Sequence, residues 1–144
     1  MIHRMQASDI DGLVDLALAL WPDHSREELA EEYAQLLKAE DAAIFGCREG
    51  DHWAAFAQCQ LRWDYVEGCE TSPVGYLEGV FVREHLRGRG VARALLQQCQ
   101  TWAREKGCRE FASDCELSNE DSLRFHLATG FQEAGRIICF TKRL

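Results

Sequence analysis

One junction limits what this chain can become: the run GYLEGVFV from Gly75 to Val82, the turn Arg87 to Gly90 with its two glycines, and the segment Val91 to Glu105. The first part is nearly continuous in apolar character, as expected of a central strand covered on both faces. The last part places Ala92, Leu95, Leu96, Cys99 and Trp102 on one stripe and is followed by Gly107, which predicts a long helix docked by one side. A strand entering a helix through a glycine turn is the unit of an α/β layer.

The flanking sequence extends that unit. Ile2 to Met5 reads as a first strand, and Ser8 is placed to cap a helix over Asp9 to Leu20 that Pro22 ends. Ser25 with Glu28 forms a capping box ahead of a second amphipathic helix carrying Leu29, Tyr33, Leu36 and Leu37. Ala42 to Arg48 and His52 to Trp63 flank a Glu49-Gly50-Asp51 turn as a hairpin, and Asp64 to Ser72 is a polar loop. Beyond the long helix, Glu110 to Ser113 is a short strand. Asn119 caps a helix that Gly130 stops, and Arg136 to Lys142 reads as a terminal strand. The expected order is β-α-α-β-β-β-α-β-α-β, a single α/β (α+β) domain over residues 1–144 with a mixed, mostly antiparallel sheet and helices on both faces. In such a sheet a ligand crevice opens beyond the strand ends.

Composition narrows the partners. With 144 residues, 47% hydrophobic and 28% charged, the chain has enough apolar surface for one core. No segment approaches the roughly 20 apolar residues of a membrane span and the start is not a targeting segment, so a soluble, cytoplasmic protein is expected. Seven cysteines occur with no C-x-x-C pair, so no zinc or redox spacing exists and no metal is expected; they read as reduced and mostly buried. A net charge of −8 counts against nucleic acid and suits a cationic partner, although acidity also serves solubility.

The turn itself carries chemistry. Gly88 and Gly90 let the backbone turn tightly and present N–H groups, and the helix N-terminus near Val91 adds about half a positive charge. That combination binds a pyrophosphate, with Arg87 and Arg89 adding charge-assisted hydrogen bonds and Ala92 small enough for close approach. The other reading is a plain strand-to-helix turn with solvated arginines. The string is neither a G-x-G-x-x-G fingerprint nor a P-loop.

Arg87-Gly88-Arg89-Gly90-Val91-Ala92 resembles the R-x-x-G-x-A motif of the GNAT superfamily of N-acetyltransferases. Asn119, Ser122, Phe125, His126, Gly130 and Phe131 follow that superfamily's later pattern, in which the asparagine bonds the pantetheine arm. Within it, YLEG (Tyr76 to Gly79) and FASD (Phe111 to Asp114) resemble the aminoglycoside 6'-N-acetyltransferases. The resemblance implies acetyl-CoA as cosubstrate, with Asn119 and Ser122 on its arm, and an aminoglycoside as the cationic acceptor. It also implies Trp21 and Tyr65 as aromatic walls of the acceptor cleft, and a homodimer. Other small polycations or peptide amines, and a non-catalytic acyl-CoA-binding module, are the competing readings.

Acceptor chemistry gives two carboxylates independent meaning. An alkyl ammonium has a pKa of about 10.4, so roughly one molecule in a few thousand is nucleophilic at pH 7. Glu78 and Asp114, at the ends of adjacent strands, are placed to hold that ammonium and take its proton. A carboxylate within a buried strand is costly unless paired or functional, whereas Asp at a strand end also serves as a turn cap. Backbone N–H groups of Val80, Phe81 and Val82 would stabilise a developing oxyanion if the strand bulges from its neighbour. In the superfamily a tyrosine protonates the departing thiolate; His126 stands at that position here. No cysteine is placed as an acyl carrier, so direct transfer in a ternary complex is expected.

Overall fold

In the computed structural model, which describes residues 1–144, the elements run β1 (Ile2–Arg4), α1 (Ile10–Leu20), α2 (Arg26–Leu36), β2 (Ala42–Glu49), β3 (His52–Arg62), β4 (Val74–Val82), α3 (Val91–Glu105), β5 (Phe111–Ser113) and α4 (Glu120–Ala128). The sheet order is β1-β2-β3-β4-β5, antiparallel throughout except for the parallel β4–β5 pair.

Period-two alternation sorts the strand side chains onto two layers. Ala43, Phe45, Cys47, Ala55, Ala57 and Cys59 point to one face and meet Leu95, Leu96, Cys99, Trp102 and Ala103 of α3. Ile44 and Phe56 point to the other and meet Leu13, Leu16 and Ala17 of α1 and Leu29 and Tyr33 of α2. Small residues dominate the α3 face of β3, which lets the helix lie close to the sheet. No helix is long and apolar enough to cross a membrane. Cys47, Cys59, Cys99 and Cys108 are buried, Cys69 is half-buried, and Cys115 and Cys139 are exposed.

Ser25 caps α2 as expected, its Oγ accepting from Glu28 N at 3.1 Å. Ser8 does not cap α1. A 3-10 turn over Ala7–Asp9 precedes the helix, and the carboxylate of Asp9 is the acceptor at that end, taking the Gln6 N–H at 2.8 Å and Arg48 Nη2 at 3.1 Å. A charged oxygen competes better for these donors than a hydroxyl does.

The larger departure is at the C-terminus: Arg136 to Lys142 forms no strand. A ladder needs a neighbour for its backbone groups, and the adjacent edge, β5, is only three residues long. After Phe131 the chain passes the loop at Glu67 and Gly68, where Ala134 leaves no room for a Cβ on Gly68. It then leaves Ile137, Ile138 and Phe140 79, 81 and 89% exposed. The expected order therefore holds through α4 and lacks its final strand.

Candidate active site

The parallel pairing of β4 with β5 covers only Gly75 to Leu77, against Phe111 to Ser113. Beyond it β4 continues to Val82 bonded to β3 alone, so one edge of residues 78–82 has no strand beside it. The β3–β4 register slips between Gln58, opposite Gly79, and Cys59, opposite Leu77, which makes Glu78 the extra residue of a bulge. Side-chain alternation slips with it: Leu77, Val80 and Val82 all meet the α3 layer, while Gly79 and Phe81 face α1. The bulge thus sits at Glu78 and turns the backbone of Val80, Phe81 and Val82 along an open edge, where alternate N–H groups have no ladder partner.

That edge leads into the glycine turn. Gly88 and Gly90 have φ of +77° and +80°, a conformation costly for side chains with a Cβ. Gly90 caps α3 without any side-chain bond, and the helical ladder opens only with Ala94 N on Gly90 O. The N–H groups of Val91, Ala92 and Arg93 therefore have no helical partner. Gly in place of a capping side chain costs about a few tenths of a kcal/mol, whereas burying Leu95, Leu96 and Trp102 contributes roughly 2 kcal/mol each. Packing holds the helix, and its N-terminus is left open for an anion. Arg87 is partly committed: its Nε donates to Val82 O at 2.8 Å and its guanidinium lies 5.7 Å over Phe81, fastening the turn to the strand end. Arg89 is exposed. These donors match a diphosphate in charge and direction.

On the α1 and α2 side, β3 changes character along its length. Phe56 is buried under the helices, and the next residues on that face are Gln58, Gln60 and Arg62. Tyr33 Oη donates to Gln58 Oε1 at 3.1 Å and Gln58 Nε2 to Gln60 Oε1 at 3.1 Å. The face thus turns from apolar to polar along the strand, with Gln58 still buried and Arg62 exposed at its end. There Arg62 grips Glu78 with two bonds, Nε to Oε1 and Nη2 to Oε2, each 3.0 Å. Its guanidinium also stacks 3.4 Å from the Tyr76 ring centre. Tyr76 Oη donates to Asp114 Oδ2, and burial together with that carboxylate pushes the phenol well above its ordinary range, so it stays a donor. Glu78 and Asp114 are therefore joined through Arg62 and Tyr76.

Trp21, at the end of α1, presses its indole on Gly79, where no Cβ fits, and meets the edge of Phe56 at 6.2 Å. Tyr65 stands 77% exposed on the loop after β3, its hydroxyl 3.4 Å from Glu67 Oε2. Glu110 ties that loop to β5 by accepting Thr71 Oγ1, Glu70 N and Thr71 N. These bonds, the Thr71 hydroxyl foremost, hold its carboxyl below the usual range.

In α4, Asn119 Oδ1 accepts Ser122 N at 3.1 Å, which leaves its amide N–H groups outward. His126 is less free than expected. Its Nδ1 lies 2.6 Å from Ser122 O and its Nε2 2.8 Å from Ser113 Oγ, which in turn reaches Leu77 O at 3.2 Å. Phe131 closes on the ring with centroids 5.0 Å apart. Ser113, which the sequence did not single out as a site residue, thus lies between the His126 ring and the backbone of β4.

Arg62 and Tyr76 were missed as site residues for a similar reason. An Arg at alternate spacing from Gln58 and Gln60 reads as the solvated face of a strand. A separate pocket of about 400 Å³ lies at the far end of the β2–β3 hairpin, lined by Asp9, Arg48, Trp53 and Arg83 among others. It is remote from Glu78, since Trp53 and Arg62 are at opposite ends of β3.

Residues 10–131 match the model of a family described as acetyltransferase (GNAT). The chain is 42% identical to an aminoglycoside N(6')-acetyltransferase type 1 of Serratia marcescens, over 100% of this chain and 99% of the relative. Two solved structures are similarly close. One is AAC(6')-Iy with the bisubstrate analog CoA-S-monomethyl-acetylneamine, with TM-score 0.95, 38% identity and coverage of 100% and 98%. The other is AAC(6')-Iy with CoA, with TM-score 0.96, 38% identity and coverage of 100% and 95%.

Proposed function

The chain belongs to the acetyltransferase (GNAT) family, and on that premise we propose that it transfers the acetyl group of acetyl-CoA to the 6'-amino group of aminoglycosides, conferring resistance to them. The observation that carries the reading is the bulge that sets Glu78 beside the opening between β4 and β5, with the glycine turn beyond the end of β4 and the Arg62–Glu78 and Tyr76–Asp114 pairs beside it.

Each part has a role. The N–H groups of Gly88 to Ala92, with Arg87 and Arg89, would hold the diphosphate of acetyl-CoA, and Asn119 and Ser122 its arm. That cosubstrate supplies an acyl group already activated as a thioester. Unpartnered N–H groups of Val80 to Val82 face developing negative charge on the acyl oxygen. Trp21 and Tyr65 wall the acceptor side. Glu78 and Asp114 bind its ammonium group, and Glu78 takes the proton directly or through water. His126, through Ser113, is the candidate to return a proton to the leaving sulfur. Transfer is direct, from the thioester to the amine, with no covalent enzyme intermediate.

Release of CoA thiol with a panel of aminoglycosides, polyamines and peptide amines tests the proposal. Aminoglycosides bearing a 6'-amino group are expected to support release; release with none of the panel, or only with peptides, overturns it.

The protein acts in the cytoplasm, where acetyl-CoA is available, and as a homodimer. An apolar tail with Ile137, Ile138 and Phe140 in water is costly at roughly 25 cal/mol per Å², and a second copy offers these side chains and the tail's backbone groups a partner. Light scattering is expected to give a dimer for the full chain and a monomer when Ile137, Ile138 and Phe140 are changed to Ser together. A monomeric full chain would contradict this.

A further inference from the structure

The Arg62–Glu78 clamp has a geometry that its stability contribution does not account for. Both Glu78 oxygens are engaged at 3.0 Å, and the same guanidinium lies flat on Tyr76. Yet the Arg62 side chain is 44% exposed, and an ion pair so open to water adds little to stability. The arrangement also places a permanent cation where the acceptor's ammonium must come.

That placement answers a chemical difficulty. Two carboxylates around an ammonium bind it well, and for the same reason hold it in the charged, unreactive form. Binding that strengthens the ground state without helping the transition state does not raise turnover. A like charge close by has the opposite effect and favours loss of the proton. Here the cation is bonded to the carboxylate itself, which also weakens Glu78 as a resting place for the proton, so the proton taken up by Glu78 is passed on to water.

We propose that Arg62 is a positioning and charge-balancing residue of acetyl transfer: it aligns Glu78 and offsets the cleft's negative charge, so that a bound ammonium can yield its proton rather than be trapped. The inference rests on Glu78 being the acceptor-side carboxylate. The proton passes from the ammonium to Glu78, leaving the nitrogen lone pair free for the acyl carbon. Tyr76 gives its hydroxyl to Asp114 and so occupies one oxygen of the second carboxylate without adding charge. The charges facing this place are Arg62 from β3, Glu78 from β4 and Asp114 after β5, with Glu67 on the loop below Tyr65. His24 lies against Trp21 at the α1–α2 corner, 6.3 Å between ring centres, and His126 stands behind Ser113 on α4.

The test compares the natural protein with Arg62→Gln, which keeps a hydrogen-bonding side chain without charge, and Arg62→Lys, which keeps the charge without the fork. Steady-state CoA release with neamine is followed from pH 6 to pH 10, and calorimetric acetyl-CoA binding reports that each variant is folded. In Arg62→Gln the acidic limb of kcat should move up by about one pH unit, so that turnover at pH 7 falls about tenfold. KM for neamine should fall with it, because an unbalanced cleft holds the ammonium more tightly. The gap should narrow towards pH 10, and Arg62→Lys should restore most of the profile. A lower kcat with an unmoved limb, or a raised KM, overturns the role and leaves Glu78 and the proposed reaction standing. Absence of neamine turnover in the natural protein at every pH overturns both.

Discussion

Glu78→Gln is expected to lower turnover on an aminoglycoside by about a hundredfold to ten-thousandfold, the range that a positioned general base supplies. The substitution is close to isosteric and its amide oxygen can keep one of the two Arg62 bonds, while the amide NH2 replaces the other acceptor with a donor; the bulge, set by the backbone register, should survive. What it removes is the negative charge that draws the ammonium in and the oxygen that takes its proton. Acetyl-CoA affinity should change less than twofold, because the glycine turn and α3 lie at the other end of β4. Asp114→Asn should act in the same direction with a smaller effect, since one Asp114 oxygen already accepts the Tyr76 hydroxyl. The measurements are kcat and kcat/KM with acetyl-CoA saturating, beside a calorimetric titration of the cosubstrate. Unchanged turnover in both variants would remove the two carboxylates from the reaction.

Gly90→Asp should have the second large effect, a loss of acetyl-CoA affinity of about a hundredfold or more. Gly90 is left-handed, and among residues with a Cβ, Asp and Asn adopt that conformation most readily, so the fold should survive. The added space is open, with nothing within 4 Å of a Cβ at this position. A carboxylate there would cap the first N–H groups of α3 from within, satisfying the donors a diphosphate needs, and would repel its charge; like charges brought together cost several kcal/mol. The outcome to measure is the acetyl-CoA dissociation constant, with thermal unfolding as a control. A stable variant that binds the cosubstrate normally would place the diphosphate somewhere other than this turn.

Local signals in the chain were enough for much of this. The apolar runs flanking the Glu49-Gly50-Asp51 turn, the α3 stripe, the Ser25–Glu28 cap and the Asn119 cap are short-range patterns, and each element formed where its pattern lay. The glycine turn was legible for the same reason, because left-handed backbone and missing helical partners are properties of a few consecutive residues. Glu78 stood out because a charge inside an apolar run has few innocent explanations.

What lay beyond the sequence depends on residues far apart along it. Arg62 and Glu78, and Tyr76 and Asp114, are 16 and 38 positions apart, and they meet only because β3, β4 and β5 are neighbours in one sheet. In the sequence a bulge is only a condition for Val80 to Val82 to meet an oxyanion; that one exists, and at Glu78, follows from the register of two strands, which neither strand states alone. That the His126 ring meets Ser113 could not be read from the chain, since α4 and β5 supply one partner each. The tail shows the limit most plainly: Arg136 to Lys142 has the composition of a strand, yet a strand exists only where another backbone completes its hydrogen bonds, and this chain by itself supplies none there. The chain's own order thus determined its elements through α4, the left-handed glycine turn and the class of reaction, because those depend on neighbouring residues. The coupling of Glu78 to Arg62 and Asp114 was decided by the sheet, because only tertiary packing brings charges from separate strands within a hydrogen bond of one another.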